Sequence, residues 1–250
     1  MPKTNLLLAL AVVSALSFFT ACTSYGPAYS HQRLTYMERP FGDGSTKGHA
    51  QVYASGKFGT DATYLPNESN QNGELGVHLG LDAYIFQLAV GVVGFGGRYT
   101  DAKKASFGYN GFGFRLHQNW KIPVNDNLEI QIFGCGYSFN SENGKYETLR
   151  VRNIDSIGGI KDLGMFSLTT GVRYRSSNKT VWGFQYAYGT TGFFITPVNA
   201  SHCLSFTGNF DRTTVAVNLG IPHRNNVSFN AGLEPTISIG ITQALTRNGF

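Results

Sequence analysis

Residues 182–188 read Trp182-Gly183-Phe184-Gln185-Tyr186-Ala187-Tyr188, aromatic at every even position and small or polar at every odd one. Side chains along a strand point alternately to its two faces, so this run has one bulky apolar face and one small face. The same period of two recurs along the chain. In Phe166–Arg175 the even positions are mostly apolar and the odd ones small or basic, and in Phe112–His117 the even positions are apolar, a row that Trp120 and Ile122 extend. Val215, Val217, Leu219 and Ile221 form another row, Val227, Phe229, Ala231 and Leu233 the next, and Ile237, Ile239 and Ile241 the last.

A soluble sandwich also alternates, but its outer face would carry Lys, Glu and Thr. Here the non-apolar face is mostly Gly, Ala, Ser and Asn. That suits a narrow barrel interior, while the aromatic face suits a lipid-facing band with interfacial girdles. Composition agrees. Charged residues are only 14% of the chain, against roughly 25% in soluble domains, and there are 31 glycines, 19 Phe and 13 Tyr. The net charge of +5 comes from scattered basic residues, so no nucleic-acid signature is present.

The front of the chain is different. Lys3 precedes the uncharged run Leu6–Phe19, too short for a typical membrane helix and of the length of a secretory signal core. It closes Phe19-Thr20-Ala21-Cys22, which resembles a bacterial lipobox, with Phe19 departing from the commoner leucine. The resemblance implies a signal peptide over 1–21, lipidation of Cys22, and, with Thr23 rather than Asp next, sorting to the outer membrane with the anchor in the periplasmic leaflet. The lipoprotein-sorting machinery would be a partner. Residues 22–47 hold turn formers and no sustained period, and read as a tether to a domain over 48–250. Cys135 and Cys203 are expected to be unpaired thiols.

Connections of alternating length support a barrel with short periplasmic turns and longer outer loops. The first seven strands are placed at 48–58, 74–81, 84–95, 109–124, 128–139, 165–175 and 181–188. The rest is ambiguous. Reading 202–210 and 213–221 separately gives eleven strands, whereas bacterial barrels are even-numbered. "KIPVNDNLEIQI" and "GIPHRNNVSFNA" share Ile-Pro before an asparagine-bearing turn. If both are periplasmic turns, 202–221 is one strand with a bulge near Asp211, and the total is ten; eight or twelve stay open.

His49, His78 and His117 fall on faces assigned to the lumen, as do Arg115, Lys121, Arg173 and Arg175, with Glu74 and Glu129 able to join them. No short ligand spacing such as His-x-x-x-His occurs, so no metal or other cofactor is expected and polar filling is the reading. His223 and Ser228 do not match the His-x-Ser-Asn pattern of outer-membrane lipid hydrolases, and no enzyme is expected. On these residues the chain resembles the small outer-membrane β-barrel proteins: all-β, antiparallel, up-and-down. Phe250 echoes their terminal aromatic, which implies the barrel-assembly machinery as a partner. The resemblance implies an integral outer-membrane protein, in contact with membrane lipid, with a structural, adhesive or surface-interaction role. Tyr146, Arg150 and Arg152 in the longest loop, 140–163, would meet a surface ligand. Two alternatives are a lipid-anchored soluble barrel or sandwich with its apolar faces around a small ligand, and a lipid-modifying barrel enzyme.

Overall fold

The computed structural model describes residues 49–61, 67–83, 85–101, 103–146, 162–176, 180–191, 199–223 and 235–246. Ten strands run in chain order: β1 (His49–Thr60), β2 (Ser69–Asp82), β3 (Phe86–Thr100), β4 (Ser106–Pro123), β5 (Leu128–Gly144), β6 (Asp162–Arg175), β7 (Val181–Thr191), β8 (Asn199–Phe210), β9 (Thr213–His223) and β10 (Thr236–Ala244). Each pairs antiparallel with its sequence neighbours. β1 closes on β10, from Tyr53 opposite Ala244 to Gly59 opposite Ser238. Closure leaves no unpaired edge, which is what allows a sheet to stand in lipid.

The strand total of ten agrees with the expectation, but the strands that make it up differ. β8 and β9 are separate strands joined by a hairpin at Asp211 and Arg212, with Phe210 opposite Thr213. Asp211 takes a left-handed conformation, φ 60°, as a two-residue turn demands and aspartate tolerates. This hairpin sits at the same barrel end as the connections 83–85, 124–127 and 176–180, where Arg175 lies opposite Val181 and Val181 opposite Asn209. Pro222 lies at the opposite end from Pro123, so the Ile-Pro echo does not mark equivalent turns. Residues 227–233, expected as a strand, lie outside the described residues.

The wall is inverted relative to a soluble protein. Phe58, Leu75, Val92, Phe114, Trp182, Val217 and Ile239 are exposed outward, while Ser55, Glu74, His78, Asn119, Gln131, Thr169 and Asn218 are buried inside. An apolar-lined ligand cavity would need the reverse, so the soluble binding-barrel alternative does not fit. Along β4 the outward apolar row runs from Phe112 to Ile122. With a strand rise of about 3.4 Å and a tilt of about 40°, it spans about 26 Å, the height of the apolar band of outer-membrane barrels. Aromatics flank the band. Trp120, Tyr174, Trp182 and Phe210 lie toward the short-turn end, where Phe210 meets Trp182 edge-on at 5.8 Å. Tyr186 and Tyr188 lie toward the other end, beside His202, whose Nδ1 is 2.6 Å from the Tyr186 hydroxyl.

Most strands exceed their expected ends toward the long-loop side, and β2, β3 and β5 do so furthest. β2 begins at Ser69, β3 runs to Thr100, β4 begins at Ser106 and β5 continues to Gly144. These extensions are polar on the outside, at Gln71, Arg98, Asn110 and Asn143. The barrel therefore carries a taller wall, β2–β5, that rises above its apolar band.

Candidate functional site

Because strand side chains alternate, β1–β6 place every long charged lumen residue on one half of the interior. Inward positions of β7–β10 are small or uncharged, such as Ala187, Ser205, Asn218 and Ser238. The long side chains lean across the lumen and tie into layers.

Near the short turns, Lys121 Nζ lies 2.9 Å from Asp82 Oδ1 and 3.0 Å from Glu129 Oε2, and Arg173 Nη1 lies 2.8 Å from Glu129 Oε1. Gln87 couples the two halves of this cluster. It donates to Asp82 at 3.0 Å and accepts from Arg173 at 3.1 Å. Two acids and two bases thus balance across five strands. At mid-height the Gln131 amide donates to Asn119 at 2.6 Å and to Thr169 at 2.8 Å, and the Gln131 carbonyl accepts from Gln185 at 3.1 Å. Ser205 donates to Asn218 at 2.6 Å, and Asn218 to Ser238 at 3.1 Å. Higher up, Arg115 donates to Glu74 at 2.8 Å and to Asn140 at 2.6 Å. At the mouth of the taller wall, Tyr99, Tyr109, Tyr146 and Phe95 cluster, with Tyr99 and Tyr146 ring centroids 4.4 Å apart. The Tyr99 hydroxyl donates to Glu68 and that of Tyr109 to Asn70.

The structure brings His78, Arg115, His117, Lys121 and Arg173 into this lumen, but into different layers. Arg175 is half-buried at the short-turn end, where its backbone N–H donates to Asn127 at 2.7 Å. His49 opens β1 opposite Asp82. Tyr146 departs from its expected place as an exposed loop contact. It keeps the inward parity of β5 and is 1% exposed within the aromatic cluster. Cys22, Arg150 and Arg152 lie outside the described residues. Cys135 and Cys203 are free thiols.

One contact invites a chemical reading. Ser55 Oγ lies 2.7 Å from His78 Nε2, and the Tyr53 ring stacks on the imidazole at 4.9 Å. A nucleophile and base also need an orienting third group and room for substrate. The other edge of His78 lies over Gly91, where an added Cβ would sit 2.0 Å from Nδ1. Both residues are under 10% exposed. The pair therefore fills space. Among the described residues, no group of three or more His, Cys, Asp or Glu could hold a metal ion. Sequence reasoning missed Ser55, Asp82 and Gln87 because their partners are set by cross-strand register, not by spacing along the chain.

No family model matches the sequence, and no curated protein does. Among solved structures, the chain is similar to the beta domain of the Bordetella autotransporter BrkA at 10% identity, covering 78% of this chain and 99% of that one with a TM-score of 0.45. It is similar to Neisserial surface protein A at 13% identity, covering 78% and 96%, TM-score 0.37, and to the outer membrane protease OmpT from Escherichia coli at 7% identity, covering 79% and 96%, TM-score 0.36. An autotransporter domain, a surface protein and a protease have different activities, and at these identities none is carried over to this chain.

Proposed function

We propose that this chain is an integral outer-membrane barrel with a structural or surface-interaction role, held shut by its own side chains. The observation that carries this reading is the braced lumen. A conducting pore needs a continuous water path lined by groups that ions can exchange with. Here the charged groups are spent on one another, through Lys121, Glu129, Asp82 and Arg173 below and Arg115 and Glu74 above. The taller β2–β5 wall offers a polar surface beyond the band, and Arg150 and Arg152 follow β5 in sequence as the proposed contacts. Barrel walls with long loops on one side and short turns on the other stand with the loops outside. In the same reading Cys22 carries a lipid in the periplasmic leaflet, the sorting and barrel-assembly machineries handle the chain, and no enzymatic activity is assigned.

The test is twofold. Cys22→Ser behind an ordinary cleavable signal should leave the protein in carbonate- and urea-washed outer membranes, with a heat-modifiable band. Reconstituted into planar bilayers, it should show no steady conductance steps. Release into the soluble fraction would sink the membrane-spanning reading, and stable ohmic steps would sink the closed lumen.

A further inference from the structure

The outer wall of a barrel is convex, yet this one has a groove. It occupies about 680 Å³ and is walled by Phe58, Leu75, Ile239 and Ile241. Gly94 and Gly96 of β3 form part of its floor. Leu75 is 74% exposed, standing clear because its cross-strand neighbours Gly56 and Gly94 offer no side chain to lean on. The volume falls within the range of about 300–1,000 Å³ for small-molecule sites. Apart from the buried Lys57 and Glu74, the lining is apolar or glycine, and it lies at the upper rim of the band, on the long-loop side.

Directly above the groove the chemistry changes. Arg98 follows Gly94 and Gly96 on the same outward face of β3, about 7 Å beyond Gly96 at a strand's two-residue repeat. It is exposed, with Gln71 opposite it on β2 and, on β4, Gly108, beside which an added Cβ would meet nothing within 4 Å. The β3–β4 connection adds exposed Lys103 and Lys104. The acids nearby are turned to other uses. Asp101 Oδ1 accepts the Ala105 N–H at 2.8 Å, and Glu68 is buried against Tyr99. Arg98 thus stands directly above an apolar slot, with Lys103 and Lys104 further up the same hairpin and Lys104 Nζ 3.5 Å from the Asn67 carbonyl.

We propose that this groove is a binding site for a phosphorylated, acylated lipid of the outer leaflet, one chain lying in the slot and its phosphate held by Arg98. A guanidinium suits phosphate because it donates two parallel hydrogen bonds. The inference rests on the membrane-spanning reading and adds a partner to it.

The experiment uses the full chain in detergent, gated on a heat-modifiable band, with lipid A as the probe and phosphatidylethanolamine and inorganic phosphate as comparisons, read by native mass spectrometry. Lipid A should bind at least about tenfold more tightly than phosphatidylethanolamine, since an added charge-assisted contact is worth about that much. Gly94→Ile, which fills the slot where an added Cβ would have its nearest neighbour, the Gly111 carbonyl, 4.0 Å away, and Arg98→Ala should each weaken lipid A binding about tenfold. Gly96→Ile fills the slot one step higher and serves if Gly94→Ile does not fold. Equal binding of the two lipids overturns the proposal. So does lipid A binding that weakens with Arg98→Ala but is unchanged by the slot-filling glycine variants, or its full displacement by millimolar phosphate, because the slot would then hold nothing. A wild-type chain with no heat-modifiable band would instead overturn the barrel reading itself.

Discussion

Removing two opposite charges from the lower lumen cluster should cost no more than removing one. Lys121, Arg173, Asp82 and Glu129 sum to zero charge, and the side chains of Lys121 and Arg173 are only 8% and 7% exposed. Breaking a buried pair by removing one partner costs about 3–5 kcal/mol, mostly because a charge is stranded. In this cluster each stranded group keeps another partner. Glu129→Gln leaves Lys121 on Asp82 and Arg173 on Gln87, and Lys121→Met leaves Glu129 on Arg173 and Asp82 on Gln87. Glu129 is also 25% exposed, so water relieves part of the penalty. A cost of about 2 kcal/mol for each single change follows. The double variant restores neutrality, leaving Arg173 and Asp82 joined through Gln87. It should lose about 2 kcal/mol rather than about 4, a coupling of about 2 kcal/mol. The assay is urea unfolding of the protein refolded in lipid vesicles, followed through the fluorescence of Trp120 and Trp182. Costs that add to within about 0.5 kcal/mol would show that the four groups act independently, and the braced-lumen argument would fail.

The other expectations use the same unfolding assay. Leu79→Arg puts a charge in mid-band and should cost about 2–4 kcal/mol, whereas Gln71→Arg, on the same strand above the band, should cost less than about 1 kcal/mol; equal costs would mean that the band is misplaced. Gly91→Ala drives a methyl into the His78 ring and should cost about 1–3 kcal/mol, with most of it recovered in the Gly91→Ala/His78→Ala double variant; no recovery would mean that the ring is not the obstacle. Asp211→Gly should be neutral or stabilising by up to about 1 kcal/mol and Asp211→Val destabilising by about 1–2 kcal/mol, because the left-handed turn suits only the former. The opposite order would restore the expected bulged single strand.

Alternation was legible wherever one face met lipid, because apolar and small residues there differ sharply. It failed above the band. Ser69–Gly73 and Asn140–Gly144 are polar on both faces, so nothing in the pattern distinguishes a paired strand from a loop, and only pairing with β3 and β4 makes them strand. The turn at Asp211 was misread for a related reason. A two-residue hairpin leaves almost no compositional trace, and Asp-Arg is not the Asn-Gly or Asp-Gly signal. Lumen residues could be named from parity, since His78, His117 and Arg173 each fall on the small face. Their partners could not be. Ser55 reaches His78 only because β1 and β2 pair with Tyr53 opposite His78, a register that no single strand encodes.

The taller wall and the braced interior are one feature. Above the band, β2–β5 lose the low-dielectric surroundings that make backbone hydrogen bonds costly to break, and water competes for every N–H and C=O. Strands rising into water need side-chain packing to stay paired. The aromatic cluster supplies it at that height, with Tyr99, Tyr109 and Tyr146 under 5% exposed and contributed by β3, β4 and the chain just beyond β5. Glu68 and Asn70 at the start of β2 accept from two of the hydroxyls, which ties the fourth strand in. The polar outer face of this wall is therefore held by its inner face. Tyr146, buried, contributes to that wall by packing.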